Sequence, residues 1–516
     1  MSSKTGLLTA VHLANIASTL AATRKYALGT LYVQLHPRFQ EVAKPTAFSK
    51  FIATVYQSSP KVLGPGVDLR ILISSLKSKE IIPVSRPVDY LFYDYCVDPQ
   101  QDGLDVTKTY PGSSVIELGT QPFAIDAREL IESSETFKNV VLGGTFDRIH
   151  AGHKVLLSQA ALLAEERFFL LLAEELFFVG VTDENMIKSK KLWELILPTE
   201  RRIEDVRAFI DDVDCTLKHE VVPISDPFGP TATDPHMDLI VVSTETSRGG
   251  AKVNELRAKN GLNQLKVHTI DLLDDELTVE DKEDKISSSN QRMDLLGTRL
   301  KPRDAKPHLS SKPYIIGLVG GVAAGKSKMA ERFAKLGAGV IDCDKIAHEL
   351  YEPGEDCYQT VINNFGMGIL NEDKTINRKA LGAIVFSDPD KLDLLNTILW
   401  DAILERAKQR IKEMYEKQNK QIIIMEAAVL LRAGWQSACH EIWSCIIPRE
   451  EAIQRLMERN GLTEEEADKR IKAQISNSEL VKNSDIVFCT AWSYEYSQTQ
   501  AEKVWADLVE ELKLKL

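Results

Sequence analysis

No acidic residue occurs before Glu41 in this 516-residue chain, whereas Lys4, Arg24, Lys25 and Arg38 punctuate a stretch rich in Ala, Ser, Thr and Leu. That composition is the one expected of an address, so residues 1–30 are predicted to be a targeting or membrane-anchor-like segment, with cytoplasm and/or mitochondrion as the location. Long apolar runs are missing as well. The uncharged stretch Thr5 to Thr23 is just long enough to cross a bilayer, but His12, Asn15 and several hydroxyls make it a poor spanning helix. Any membrane or mitochondrial association is therefore expected through the N-terminus alone, and an amphipathic first helix of a soluble domain stays open. Cysteine is scarce and unpatterned: seven residues, at 96, 215, 343, 357, 439, 445 and 489, show neither metal-ligand spacing nor a disulfide framework, which points to free thiols in a reducing compartment. A basic surplus is lacking too. The net charge of −12 excludes nucleic acid held by general electrostatics and leaves small molecules as the expected partners. With 516 residues the chain exceeds what one core supports, about 250–300 residues, and two or three domains are expected.

What is present organises the rest. Tyr314-Ile-Ile-Gly-Leu-Val-Gly-Gly-Val-Ala-Ala-Gly-Lys-Ser327 runs a short apolar strand into Gly-x-x-x-x-Gly-Lys-Ser, ahead of a helix-like segment. This is a P-loop: Gly320, Gly321, Val322, Ala323, Ala324 and Gly325 turn successive backbone N–H groups toward one anion, Lys326 adds a point charge, and Ser327 is placed to hold Mg²⁺. ATP is the expected substrate there. After it, Gly339-Val-Ile-Asp-Cys-Asp344 reads as a second strand ending in two carboxylates, and an acid at a strand's carboxyl edge beside a phosphate loop is placed to take a hydroxyl proton. Gln421-Ile-Ile-Ile-Met-Glu426 reads as a third strand, whose terminal acid is either a Mg²⁺-water ligand or an ordinary polar strand end.

A second loop for phosphate stands upstream. Lys138-Asn-Val-Val-Leu142 reads as a buried strand opening into Gly143-Gly-Thr-Phe-Asp-Arg-Ile-His-Ala-Gly-His153. Two histidines at a helix start can face one ligand, where imidazole donors and the helix N-terminus neutralise phosphate charge, and Gly152 lets a nucleotide come close. Gly-Thr-Phe-Asp with His-x-Gly-His resembles the signature of the nucleotidylyltransferase superfamily, whose members bind ATP on a Rossmann-like sheet. Thr182-Asp183 after Phe177-Phe-Val-Gly-Val181, the basic Lys188, Lys190 and Lys191, Ser243-Thr-Glu-Thr-Ser-Arg-Gly-Gly250 and Ile286-Ser-Ser-Ser-Asn-Gln-Arg292 follow in family order. The resemblance implies that Gly144, Thr145 and Phe146 form the loop at the attacking phosphate, that His150 and His153 hold the ATP phosphates, and that Lys188 acts at the transition state. Arg248, Gly249, Ser287, Ser288, Ser289 and Arg292 would hold the nucleotide.

The carboxyl-terminal stretch resembles dephospho-coenzyme A kinase, in the P-loop, in Asp-x-Asp and in Asn377-Arg378-Lys-Ala-Leu-Gly-Ala-Ile-Val-Phe-Ser-Asp-Pro389. This implies Asp344 as the base and Arg459 as the lid arginine on the migrating phosphoryl group. Trp400-Asp401 replaces the usual His-Pro, and Arg432 stands where a Glu usually follows Leu-Leu, which puts acceptor contacts in doubt. The order of the two domains is similar to that of the bifunctional coenzyme A synthase family. The fold class implied is α/β, with two doubly wound domains, a Rossmann-like nucleotidylyltransferase (137–297) and a P-loop kinase (313–516). Before them lie the 1–30 segment and a small α/β or partly ordered accessory region (31–136), in which no catalytic constellation is evident. A polar, Pro-containing linker (298–312) joins them. The implied chemistry is adenylyl transfer from ATP to 4′-phosphopantetheine and then phosphorylation of dephospho-CoA, with Mg²⁺ accompanying ATP. Two alternatives stay open: the same folds acting on another small metabolite, and a scaffold whose ATP sites are relics. Leu162-Leu-Ala-Glu-Glu-Arg-Phe-Phe169 is nearly repeated as Leu171-Leu-Ala-Glu-Glu-Leu-Phe-Phe178, too short to mark a repeat architecture.

Overall fold

The computed structural model describes residues 4–10, 16–26, 28–35, 45–64, 66–77, 84–94, 106–118, 136–164, 177–271, 273 and 281–513. The middle of the near-repeat, residues 165–176, lies outside the described residues. The chain forms two compact units, Met1–Gln291 and Arg292–Leu516.

The first unit holds two parallel sheets. Strands β1 (Lys4–Ala10), β2 (Leu28–Leu35), β3 (Asp68–Ile71), β4 (Tyr90–Asp94) and β5 (Ser114–Leu118) lie in the order β3-β2-β1-β4-β5. Lys4–Ala10, within the stretch expected to be an address segment, are thus the middle strand of a five-stranded sheet. The reason is burial: β1 is bonded to β2 on one side and β4 on the other, and Leu7 and Leu8 are fully covered. A strand buried on both faces reads as apolar and excludes carboxylates, as an address does. Gly6 is required by close packing, since a Cβ there would lie 2.6 Å from the Phe92 ring. No helix among the described residues is long and apolar enough to cross a membrane.

The second sheet of this unit comprises β6 (Val140–Gly144), β7 (Phe177–Thr182), β8 (His219–Ile224), β9 (Leu239–Ser243) and β10 (Lys266–Ile270), in the order β10-β9-β6-β7-β8. All its pairings are parallel. The run Val140, Val141 and Leu142 is buried throughout, each side chain contributing about 1.5–3 kcal/mol by leaving water. Because β7 follows on one side of β6 and β9 falls on the other, the strand order reverses between β6 and β9. In such sheets ligands bind in the crevice at the carboxyl ends of those two strands.

The second unit repeats the plan. Its strands β11 (Tyr314–Gly320), β12 (Gly339–Asp342), β13 (Ile422–Glu426), β14 (Glu441–Ile446) and β15 (Ile486–Cys489) pair in parallel in the order β12-β13-β11-β14-β15. The stretch expected to be a linker is bonded to this unit at its start. Gly297 and Leu300 donate backbone bonds to Val487 and Asp485, and Arg299 bridges Ile486. Arg299 (2.7 Å) and Arg303 (2.9 Å) also donate to the buried carboxylate of Glu441. Burial alone would raise that carboxyl, but donors from Tyr314, Trp443 and Arg299 hold it below the usual carboxylate range. The prolines and lysines give a linker's composition, while the arginines neutralise a charge that cannot be left unpaired inside the protein.

Candidate functional sites

At the carboxyl end of β6 the chain turns through Thr145–Ile149 into the helix Ala151–Leu163. Phe146 and Arg148 adopt positive φ angles of 49° and 48°, a conformation costly for side chains of this size unless the surroundings impose it. They do. Phe146 is fully buried, and Arg148 donates to Asp147 (2.9 Å) and to the Leu195 carbonyl (2.8 Å). Arg202, itself buried, donates to the Thr145 carbonyl at 2.7 Å.

This loop aims two imidazoles together. His150 and His153 stack with ring centres 3.8 Å apart, and Phe146 lies 5.2 Å from His153. Gly152 keeps the approach open, because a Cβ would stand 3.1 Å from the His150 ring. His150 Nε2 lies 3.3 Å from Ser288 Oγ, and that hydroxyl donates to the Asp147 carbonyl at 3.0 Å. His153 Nδ1 is buried with no hydrogen-bond partner among the described residues, and its pKa is pushed down to about 3, by burial first and then by the charge of Lys190. A buried ring nitrogen left open beside a second imidazole is a receptor for a polar ligand atom.

The structure places the other expected residues as follows. Thr145 Oγ1 lies 3.3 Å from Thr182 Oγ1. Ser288 meets His150 across 138 residues of chain, while Ser287 accepts from Asn290 N–H at 3.2 Å. Ser289 is half-buried and Arg292 is buried, whereas Arg248 and Gly249 are exposed at the start of the helix Ser247–Lys259. Lys188 is exposed; the lysine whose charge acts on His153 is Lys190. Sequence reasoning did not single out Arg202, which supports Thr145, or Lys285, which pairs with Glu245 and with Glu283 at 3.5 Å.

In the second unit β11 ends in the P-loop, where Ala323 (φ 61°) and Gly325 (φ 78°) take left-handed backbone. Glycine is needed at 320, where a Cβ would meet the Cys445 carbonyl at 2.9 Å. Lys326 opens the helix Lys326–Leu336 and extends to two acids, Asp344 at 3.0 Å and Glu426 at 3.4 Å. Ser327 donates to Glu426 at 2.6 Å. Ladder register explains the convergence: Glu426 pairs with Leu318 of β11 and with Asp342 of β12, so the ends of β12 and β13 stand level, two residues before β11 runs into the P-loop. Asp342 caps the helix Cys343–Glu349 by accepting from Lys345 N–H at 3.0 Å, which leaves Asp344, half exposed, as the acid beside Lys326. Glu426 is a buried member of this cluster and no ordinary strand end.

The loop is braced from outside. Val322 N–H donates to Gln474 at 2.7 Å. Arg455, on the helix Arg449–Asn460, donates to the Ala323 carbonyl (3.2 Å) and to Thr490 Oγ1 (3.0 Å). Thr490 in turn donates to the Ala324 carbonyl at 3.1 Å. Arg459 is exposed and donates to Asn460 at 3.1 Å. Nearby in sequence to Asp344, His348 receives Arg378 NH1 at 3.2 Å, and burial followed by that cation lowers its pKa.

Two doubly wound parallel α/β domains, one with an imidazole pair at its switch point and one with a P-loop, define a nucleotide-dependent transferase of tandem design. Comparison with known proteins makes this specific. Residues 314–491 match the family described as dephospho-CoA kinase, and residues 141–293 match the family described as cytidylyltransferase-like. The dephospho-CoA kinase of Carboxydothermus hydrogenoformans is 40% identical over 186 residues, which cover 36% of this chain and 90% of that protein. That of Lactobacillus johnsonii is 36% identical over 199 residues, covering 39% and 98%. Among solved structures, the dephospho-CoA kinase of Campylobacter jejuni is 25% identical with a TM-score of 0.31, covering 38% of this chain and 98% of its own. The chain belongs to the dephospho-CoA kinase family, with a cytidylyltransferase-like domain ahead of the kinase.

Proposed function

We propose that the chain performs the last two steps of coenzyme A biosynthesis. The phosphate of 4′-phosphopantetheine attacks the α-phosphorus of ATP, pyrophosphate leaves, and dephospho-CoA forms. The ribose 3′-hydroxyl of dephospho-CoA then attacks the γ-phosphorus of a second ATP, ADP leaves, and the hydroxyl proton passes to a carboxylate. The observation that carries the reading is that each unit has its own phosphate-receiving cluster at the carboxyl ends of its own sheet, imidazoles in one and Lys326 with two acids in the other.

In the first reaction no side chain need become covalently attached, so catalysis is positioning plus stabilisation of charge. Thr145 orients the attacking phosphate, and His150 and His153 donate to ATP phosphate oxygens. Lys188 and Lys190 supply cationic charge, and Arg248 with Ser287, Ser288 and Ser289 holds the nucleotide. In the second, Lys326 and the loop amides grip the β- and γ-phosphates, Asp344 accepts the proton, and Arg459 meets the migrating phosphoryl group. The hydroxyl of Ser327 and the carboxylate of Glu426 are hard oxygen donors that would hold Mg²⁺. Bound with ATP, that ion would supply positive charge against the phosphates.

The cytidylyltransferase-like match favours a second reading of the first unit, in which CTP replaces ATP. The full chain is incubated with Mg²⁺, 4′-phosphopantetheine and either ATP or CTP, and pyrophosphate and thiol products are followed. Dephospho-CoA and CoA with ATP only is the expected result. Pyrophosphate release with CTP, or none with either, removes the adenylyltransferase reading.

A further inference from the structure

We propose that the N-terminal sheet is a positioning device for the first reaction: Asp68 and Arg70 of β3, acting through Lys154 and Asp212, hold the two elements that carry His150, His153 and Thr145. The inference rests on the adenylyltransferase reading of that site.

Two arms leave the same strand. Period-two alternation places Asp68 and Arg70 on one face of β3. The first arm runs to the histidine helix. Lys154 follows His153 directly, and its ammonium donates to Asp68 at 2.6 Å and to the Leu69 carbonyl at 2.9 Å. The Lys154 N–H closes the first helical turn on the His150 carbonyl at 2.9 Å, so one residue ties both histidines to the N-terminal sheet. Further along this helix Gln159 donates to the Ser49 carbonyl at 3.2 Å, and Val155, Leu157 and Ala161 share one core with Phe51 and Val55. The second arm runs to the helix Thr199–Val213. Arg70 pairs with Asp212 at 2.5 Å and donates to the Ala208 carbonyl at 2.9 Å, and Tyr32 of β2 donates to Asp212 at 2.7 Å. This helix also carries Arg202, whose guanidinium holds the Thr145 carbonyl at 2.7 Å.

The arms therefore end at the two sides of the loop that faces the substrate. The choice of groups is informative. Apolar packing alone would join these elements more cheaply, because charges taken out of water lose hydration that their attraction only partly restores. What directional pairs add over apolar contact is a fixed register, and a register error here is a displacement of the imidazoles. Displacements on the order of 1 Å cost about 100-fold in rate.

The test uses the full chain with Asp68→Asn, Lys154→Met and Lys154→Arg. Turnover and KM are measured for the first reaction, phosphorylation of supplied dephospho-CoA serves as the internal control, and hydrogen exchange is followed over residues 149–160. Asp68→Asn and Lys154→Met should each lower kcat by about 10- to 100-fold with KM changed far less, and should speed exchange at the helix start. The kinase reaction should be unchanged, and Lys154→Arg should recover most of kcat. Met keeps the apolar stem of lysine, so this variant decides the matter even where Asp68→Asn is insoluble. Unchanged kcat in folded Lys154→Met overturns the proposal, whether or not exchange rises, and so does a loss confined to KM. If the wild-type chain performs no adenylyl transfer, the function reading fails by itself, and exchange at residues 149–160 that is the same in all variants then overturns the positioning role as well.

Discussion

His153 is the residue whose environment most narrows its chemistry. Burial and Lys190 push its pKa down to about 3 from an unfolded value near 6.5, so the ring is neutral across the physiological range and acts as a hydrogen-bond donor without adding fixed charge. The linkage has a definite sign. The folded-state value lies below the unfolded one, so the unfolded chain takes up the proton first; stability is full above about pH 6.5 and declines as pH falls toward 3. The expected slope is at most about 1.4 kcal/mol per pH unit. Denaturant unfolding of the wild type and His153→Gln at pH 7 and pH 5 checks this, with the variant losing less stability on acidification; equal losses would mean that the ring is not held neutral. In the kinase domain Arg455 and Arg459 sit one helical turn apart, and only Arg455 bonds to the P-loop. Arg455→Ala should raise KM for ATP and lower the melting temperature of this unit, whereas Arg459→Ala should lower kcat alone. Identical kinetic profiles for the two variants would contradict that division.

At the scale of elements, legibility followed locality. The P-loop was readable because strand, glycines, lysine and helix are contiguous, and the same holds for Gly143 to His153. Ser288 against His150 was readable only as a motif in family order, since the contact closes 138 residues of chain. Arg202 is not legible because helix periodicity says which side chains share a face, while the docking of the helix decides which one reaches the loop. The N-terminal strand is not legible as a strand for a physical reason, namely that a central parallel strand and an address segment both exclude carboxylates. The placement of β1 bears on truncation. Deleting residues 1–30 removes β1 and the start of β2, and exposes the flank of β4 that pairs with Gly6–Thr9. Such a chain should lose the N-terminal sheet, seen as rapid proteolysis within residues 31–118 and a drop in ellipticity; retention of protease resistance there would show that β1 is dispensable.

On the scale of the whole molecule, the claim is that two chemistries reside in two separately cored units. The buried cluster under the P-loop and that under β6 share no residue, and the imidazole pair and the Lys326 cluster are each supported from within one unit. Removing one cation or one imidazole should therefore silence one reaction. Losing such a stabilising group typically costs on the order of 10²–10³ in rate. The most direct measurement is chromatography of the products formed by Lys326→Ala and His153→Ala from 4′-phosphopantetheine, ATP and Mg²⁺, each variant first shown to be folded by circular dichroism. Lys326→Ala should release pyrophosphate and accumulate dephospho-CoA, and His153→Ala should make none yet convert supplied dephospho-CoA to CoA. Loss of both reactions in either folded variant would contradict two independent sites.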